Sequence, residues 1–122
     1  MCKVAFIDDD PMVLRMAAFM MKKSGNQAIT ASSGDGGIIM IKNERPQIVF
    51  IYAEMPVKSG LETLESIRND AEISSLPVCI MTGTITDELR KKAESFGVVG
   101  LIEKPIQASQ VLLIINRVTG KG

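Results

Sequence analysis

Three aspartates stand in a row at Asp8-Asp9-Asp10. Adjacent carboxylates repel one another and hold their protons more tightly unless a cation or a lysine lies among them. A hard divalent ion with oxygen ligands, such as Mg²⁺, is their natural partner. Three other chemistry-bearing positions also close apolar runs: Tyr52, Thr82-Gly83 and Lys104-Pro105. The plainer reading of the acidic run makes Asp10 a helix cap and leaves Asp8 and Asp9 solvated. Histidine is absent, which removes imidazole catalysis and histidine metal sites. Gly34-Asp35-Gly36-Gly37 lacks the Lys-Ser/Thr ending of a phosphate loop. A flavin-phosphate site is disfavoured too, because three aspartates after the first strand repel a phosphate.

These positions act together only if the runs before them are neighbouring strands. Val4-Ala5-Phe6-Ile7, Ile48-Val49-Phe50-Ile51, Val78-Cys79-Ile80-Met81 and Val98–Ile102 are apolar on successive positions, as strands buried on both faces require. Ala28–Ala31 is a weaker strand. Amphipathic segments alternate with the strands. The first, opened by Asp10 and Pro11, carries Val13, Met16, Ala17 and Met20 as its expected core stripe, and Gly25 stops it. The second runs through Ile38–Asn43 after a Gly34–Gly37 turn, and the third carries Leu61, Leu64 and Ile67. The fourth is capped by Thr84 or Thr86 and closed by Gly97, and the last bears Ala108, Val111, Leu112, Ile115 and Val118. Strict alternation predicts an α/β, flavodoxin-like, doubly wound sheet of five parallel strands with five helices, a single domain over residues 1–122. In such folds function gathers at the carboxyl ends of the strands.

The chain resembles the receiver domain of bacterial response regulators in two-component, or phosphorelay, signal transduction. The carriers are Phe6-Ile7-Asp8-Asp9-Asp10-Pro11, Arg45-Pro46-Gln47-Ile48-Val49, Met55-Pro56 with Ser59-Gly60, Pro77-Val78 through Met81-Thr82-Gly83, and Glu103-Lys104-Pro105. Each piece is weak alone; their order and spacing are specific. The resemblance implies a Mg²⁺-binding acidic pair at Asp8 and Asp9, a phosphoryl-contacting hydroxyl at Thr82 and a lysine at Lys104. The family's phosphoacceptor aspartate stands three residues before the Met of Met-Pro, and here that residue is Tyr52. A phenol cannot form an acyl phosphate, and its ring is expected to fill the phosphoryl pocket. The family's switching aromatic falls on Leu101, which has no ring to rotate.

An atypical receiver follows as the expectation. It is not an enzyme, requires no cofactor, binds Mg²⁺ weakly if at all, and works through protein contacts. Glu54, two residues after Tyr52, reads as a solvated loop acid, or as a modulator placing negative charge near Lys104. The rival expectations are an active Mg²⁺-dependent phosphoacceptor using Glu54 or Ser59, and a small-ligand pocket. Fourteen basic and fourteen acidic residues give zero formal charge, against a nucleic-acid surface. No apolar run approaches the ~20 residues of a membrane span. Cys2 and Cys79 read as reduced thiols, so a cytoplasmic protein is expected. The eight methionines are assigned mainly to core stripes. A partner or self-association surface is expected on the first or last helix, at Met12, Phe19 and Leu113.

Overall fold

In the computed structural model, which describes residues 1–120, five strands and five helices alternate along the chain. The strands are β1 (Lys3–Ile7), β2 (Gln27–Ala31), β3 (Ile48–Tyr52), β4 (Val78–Thr82) and β5 (Gly100–Glu103), all parallel and ordered β2-β1-β3-β4-β5. The predicted flavodoxin-like fold is the observed one. The chain turns from β1 to β2 on one side and then crosses to β3 on the other. That reversal opens a crevice between the carboxyl ends of β1 and β3. Register aligns the ends: Ile7 lies level with Ile51, Tyr52 with Met81, and Thr82 with Glu103. Asp8, Tyr52, Thr82 and Lys104 therefore rise from one end of the sheet. β5 begins two residues later than the sequence pattern indicates, although the Val99 N–H already donates to the Val78 carbonyl of β4 at 2.9 Å.

The helices are α1 (Pro11–Lys23), α2 (Gly34–Glu44), α3 (Gly60–Asn69), α4 (Asp87–Ser95) and α5 (Ala108–Thr119). Side-chain oxygens start four of them. Asp10 accepts from the Met12 N–H at 2.9 Å, Ser33 from Gly36, Ser59 from Glu62 within a capping box, and Thr86 from Leu89. Ser33 begins α2 four residues earlier than expected, so Gly34, Gly36 and Gly37 are helical and do not form a turn. Close packing explains two of them: a Cβ at Gly34 would strike Thr63 and one at Gly37 would strike Ile7.

Alternate strand residues feed two cores. Val4, Phe6, Ile48, Phe50, Cys79 and Met81 face α1 and α5, and Phe6 stacks on Phe50 with ring centroids 5.1 Å apart. Ala5, Ile7, Val49, Ile51, Val78 and Ile80 face α2, α3 and α4. The α1 stripe is rotated from its expected position. Ala17 and Met21 are the buried residues, Val13 and Met20 are half-buried, and Met16 faces solvent. On α5, Ala108 is exposed, and Val111, Ile114 and Ile115 are buried. Met21, Met55 and Met81 are buried and Met20 and Met40 pack against the two cores, so five of the eight methionines serve the core as expected, while Met1, Met12 and Met16 are exposed. Arg68 is a structural residue that sequence reading misses. Its guanidinium donates to the carbonyls of Phe96 at 2.6 Å, Leu76 at 2.7 Å, Ser74 and Gly97, tying α3 to the turns before β4 and β5.

Burial pushes the Cys79 thiol up from 9.0 to about 12, with Arg117 opposing slightly. In the unfolded chain this thiol ionises first, so the unfolded state loses its proton while the folded state keeps it. Stability is therefore expected to fall as pH climbs from about 9 towards 12, with a slope approaching ~1.4 kcal/mol per pH unit from this group. Urea titrations at several alkaline pH values should give a flatter profile for Cys79→Ala than for wild type. Parallel profiles would refute the assignment.

Candidate functional site

Asp8 follows β1 and is wholly buried. Its Oδ1 accepts from the Asp10 N–H at 3.0 Å. Its Oδ2 lies 2.6 Å from Lys104 Nζ in an ion pair. The same ammonium stands 3.4 Å from the centroid of the Tyr52 ring. Lys104 is thus held between a buried carboxylate and an aromatic face, each favouring a cation. Its backbone N–H donates to the Thr82 carbonyl at 2.8 Å, and the peptide bond to Pro105 is cis. Asp9 is exposed beside the crevice.

Glu54 is exposed in the loop after β3, as a loop acid is expected to be, and its carboxylate turns to Thr82 instead of Lys104. The buried Thr82 hydroxyl, with one proton to give, lies 3.1 Å from both Glu54 oxygens and from the Thr84 carbonyl, and Glu54 Oε1 also accepts from the Gly83 N–H at 3.3 Å. The signal for this contact is present in the sequence. A hydroxyl closing a buried strand needs a partner, and Glu54 is an acid on the adjacent strand's exit. Burial raises the Tyr52 phenol above its ordinary value of 10.0, and the negative charges of Glu54, Asp8, Asp9 and Asp10 raise it further. The ring is therefore neutral at physiological pH.

The loop between β3 and α3 is pinned at both ends. Gly60 donates to the Ala53 carbonyl at 2.8 Å, and a Cβ there would collide with the Tyr52 carbonyl. Between these anchors Val57 adopts φ 67° and is fully exposed, a strained conformation for a β-branched residue. Ser59, a candidate acceptor, is the N-cap of α3, its hydroxyl accepting from Glu62 at 3.1 Å. Leu101 lies half-buried on β5, level with Ile80 and packed among the residues that face α2, α3 and α4.

Mg²⁺ calls for several oxygen ligands in near-octahedral array. Here one oxygen of Asp8 is matched by an ammonium, and the other face of that ammonium is covered by the Tyr52 ring, which carries no carboxylate. Among the described residues no three acidic, histidine or cysteine side chains form a group that could hold a metal ion. This donor set does not fit Mg²⁺.

A parallel sheet ordered β2-β1-β3-β4-β5, with acids after β1, a hydroxyl closing β4 and a lysine after β5, defines the receiver class of signalling domain. The chain belongs to the response regulator receiver domain family, which matches residues 4–116. It is 27% identical to the protein PilH of Pseudomonas aeruginosa, covering 97% of this chain and 98% of PilH. It is 32% identical to the protein PilG of the same organism, over 90% of this chain and 82% of PilG. By contrast it spans 46% of the probable transcriptional regulatory protein TcrX of Mycobacterium tuberculosis, at 28% identity over 90% of this chain. Chemotaxis protein CheY4 of Vibrio cholerae superposes with a TM-score of 0.90 at 23% identity, over 97% of this chain and 98% of that one, a likeness of fold.

Proposed function

We propose that this receiver acts through protein contacts without taking up phosphate. The observation that carries this reading is the Tyr52 ring, stacked under Lys104, at the position where the family places its acceptor carboxylate. A second contact supports it. The resemblance assigns the Thr82 hydroxyl to phosphoryl oxygens, and here it is engaged by the Glu54 carboxylate. The resident acid supplies permanently a negative group that phosphorylation would supply transiently, so the module is held in one state. It needs no metal and catalyses no reaction, and its partner is a cytoplasmic protein or a second copy. Incubation with acetyl phosphate and Mg²⁺ should leave the intact mass unchanged. A stable gain of one phosphoryl group would overturn the proposal, and mapping it to Glu54 or Ser59 would establish the rival acceptor.

A further inference from the structure

The helix faces expected to meet a partner do expose Met12, Phe19 and Leu113. A denser set of polar contacts lies elsewhere, in the loop between β4 and α4. Gly83 and Thr84 are exposed there, and Ile85 is half-buried. Water could meet all three of their successive backbone N–H groups, yet each is met by a side-chain oxygen. Gly83 donates to Glu54 Oε1 at 3.3 Å, Thr84 to the Thr82 hydroxyl at 3.3 Å, and Ile85 to Glu103 Oε2 at 3.0 Å. The two acids reach the loop from opposite sides of β4, Glu54 from the exit of β3 and Glu103 from the end of β5.

The Thr82 hydroxyl stands between rival acceptors. It has one proton, and Glu54 and the Thr84 carbonyl both lie 3.1 Å away. A carboxylate is the stronger acceptor, so the proton goes to Glu54 and the hydroxyl's lone pairs are left for the Thr84 N–H. Charge favours the same arrangement. α4 begins at the N-cap Thr86, and its positive end adjoins the loop that both carboxylates hold. We propose that Glu54 and Glu103 together brace this loop, fixing the start of α4 in one setting without a phosphoryl group. The brace rests on the functional reading above, in which Thr82 is committed to a resident acid, and adds Glu103 as a second anchor. Because the loop is tied on both sides, loss of one anchor leaves it held by the other, and only loss of both releases α4.

Amide exchange of the full chain, followed residue by residue by NMR, tests the brace. Gly83 and Ile85 should exchange slowly although they lie in a surface loop. Glu54→Ala should speed exchange at Gly83 about tenfold, and Glu103→Ala should do the same at Ile85, the scale of one charge-assisted hydrogen bond. In Glu54→Ala/Glu103→Ala both sites should open together. Leu89, whose N–H is held by the Thr86 hydroxyl at 3.1 Å, should lose protection with them in that variant alone. Both acids are exposed, so the variants should fold, which circular dichroism checks. Fast exchange at Gly83 and Ile85 in the parent chain would overturn the proposal. So would a double variant in which Leu89 stays protected. Equal acceleration by Glu88→Ala would also overturn it, by showing that charge at the helix end protects the loop and the two contacts do not. Phosphate uptake is read by mass and the brace by exchange in untreated protein, so either can fail without the other.

Discussion

Tyr52→Asp should gain a phosphoryl group from small phosphodonors in the presence of Mg²⁺, where the parent chain is expected to gain none. The substitution removes the ring stacked under Lys104, frees that ammonium, and sets a third carboxylate level with Asp8. Phosphoryl transfer needs mainly positioning and charge neutralisation, and Asp8, Asp9, Thr82 and Lys104 remain to supply them. Glu54 limits the gain, since its carboxylate already engages the Thr82 hydroxyl and the Gly83 N–H. Labelling should therefore be slow in Tyr52→Asp and about tenfold faster in Tyr52→Asp/Glu54→Ala, the order of effect of freeing one charge-stabilising contact. Intact mass with time would read both. A folded double variant that neither binds Mg²⁺ nor labels would show that more than these two residues block the pocket. Leu101 offers no ring to rotate, so chemical-shift changes on α5 after labelling should be small.

Lys104→Met should be among the most destabilising substitutions in the molecule. Asp8 is wholly buried and keeps only the Asp10 N–H as a partner once the ammonium is gone. Removing one member of a buried ion pair costs about 3–5 kcal/mol, because the remaining charge is left uncompensated. Asp8→Asn/Lys104→Met removes both charges and should recover most of that loss. Denaturant unfolding of the two single variants and the double variant at neutral pH gives the coupling between the residues. Independent, additive effects would mean that the 2.6 Å contact contributes little. Loss of stability on this scale would also show why a lysine persists where no phosphoryl group is proposed to arrive.

Much of the architecture was legible because it rests on local signals. Apolar runs closed by Asp8, Tyr52, Thr82 and Lys104 marked four strands, and Asp10 and either Thr84 or Thr86 marked helix starts through chemistry that acts within a few residues, Thr86 being the cap the fold uses. The parallel sheet followed from the alternation itself, and the substitution at position 52 was visible from spacing to Met55-Pro56. Features that depend on distant neighbours were not legible. The α1 stripe was misplaced because Met16 and Met21 are equally apolar, and packing of the helix on the sheet chooses between them. The glycines before Ile38 read as a turn because Thr63 and Ile7, which require small residues there, are distant in sequence.

The sequence by itself determined which groups are available at the crevice: three acids (Asp8, Asp9 and Glu54), a phenol, a hydroxyl and a lysine. Tertiary structure decided how those groups pair. Lys104 lies between Asp8 and the Tyr52 ring, and Glu54 turns to Thr82. Each of these pairings joins elements separated by dozens of residues, where spacing carries no information. Burial makes every unpaired charge or hydroxyl costly, so the partners are settled by which polar groups the folded sheet brings within reach of one another.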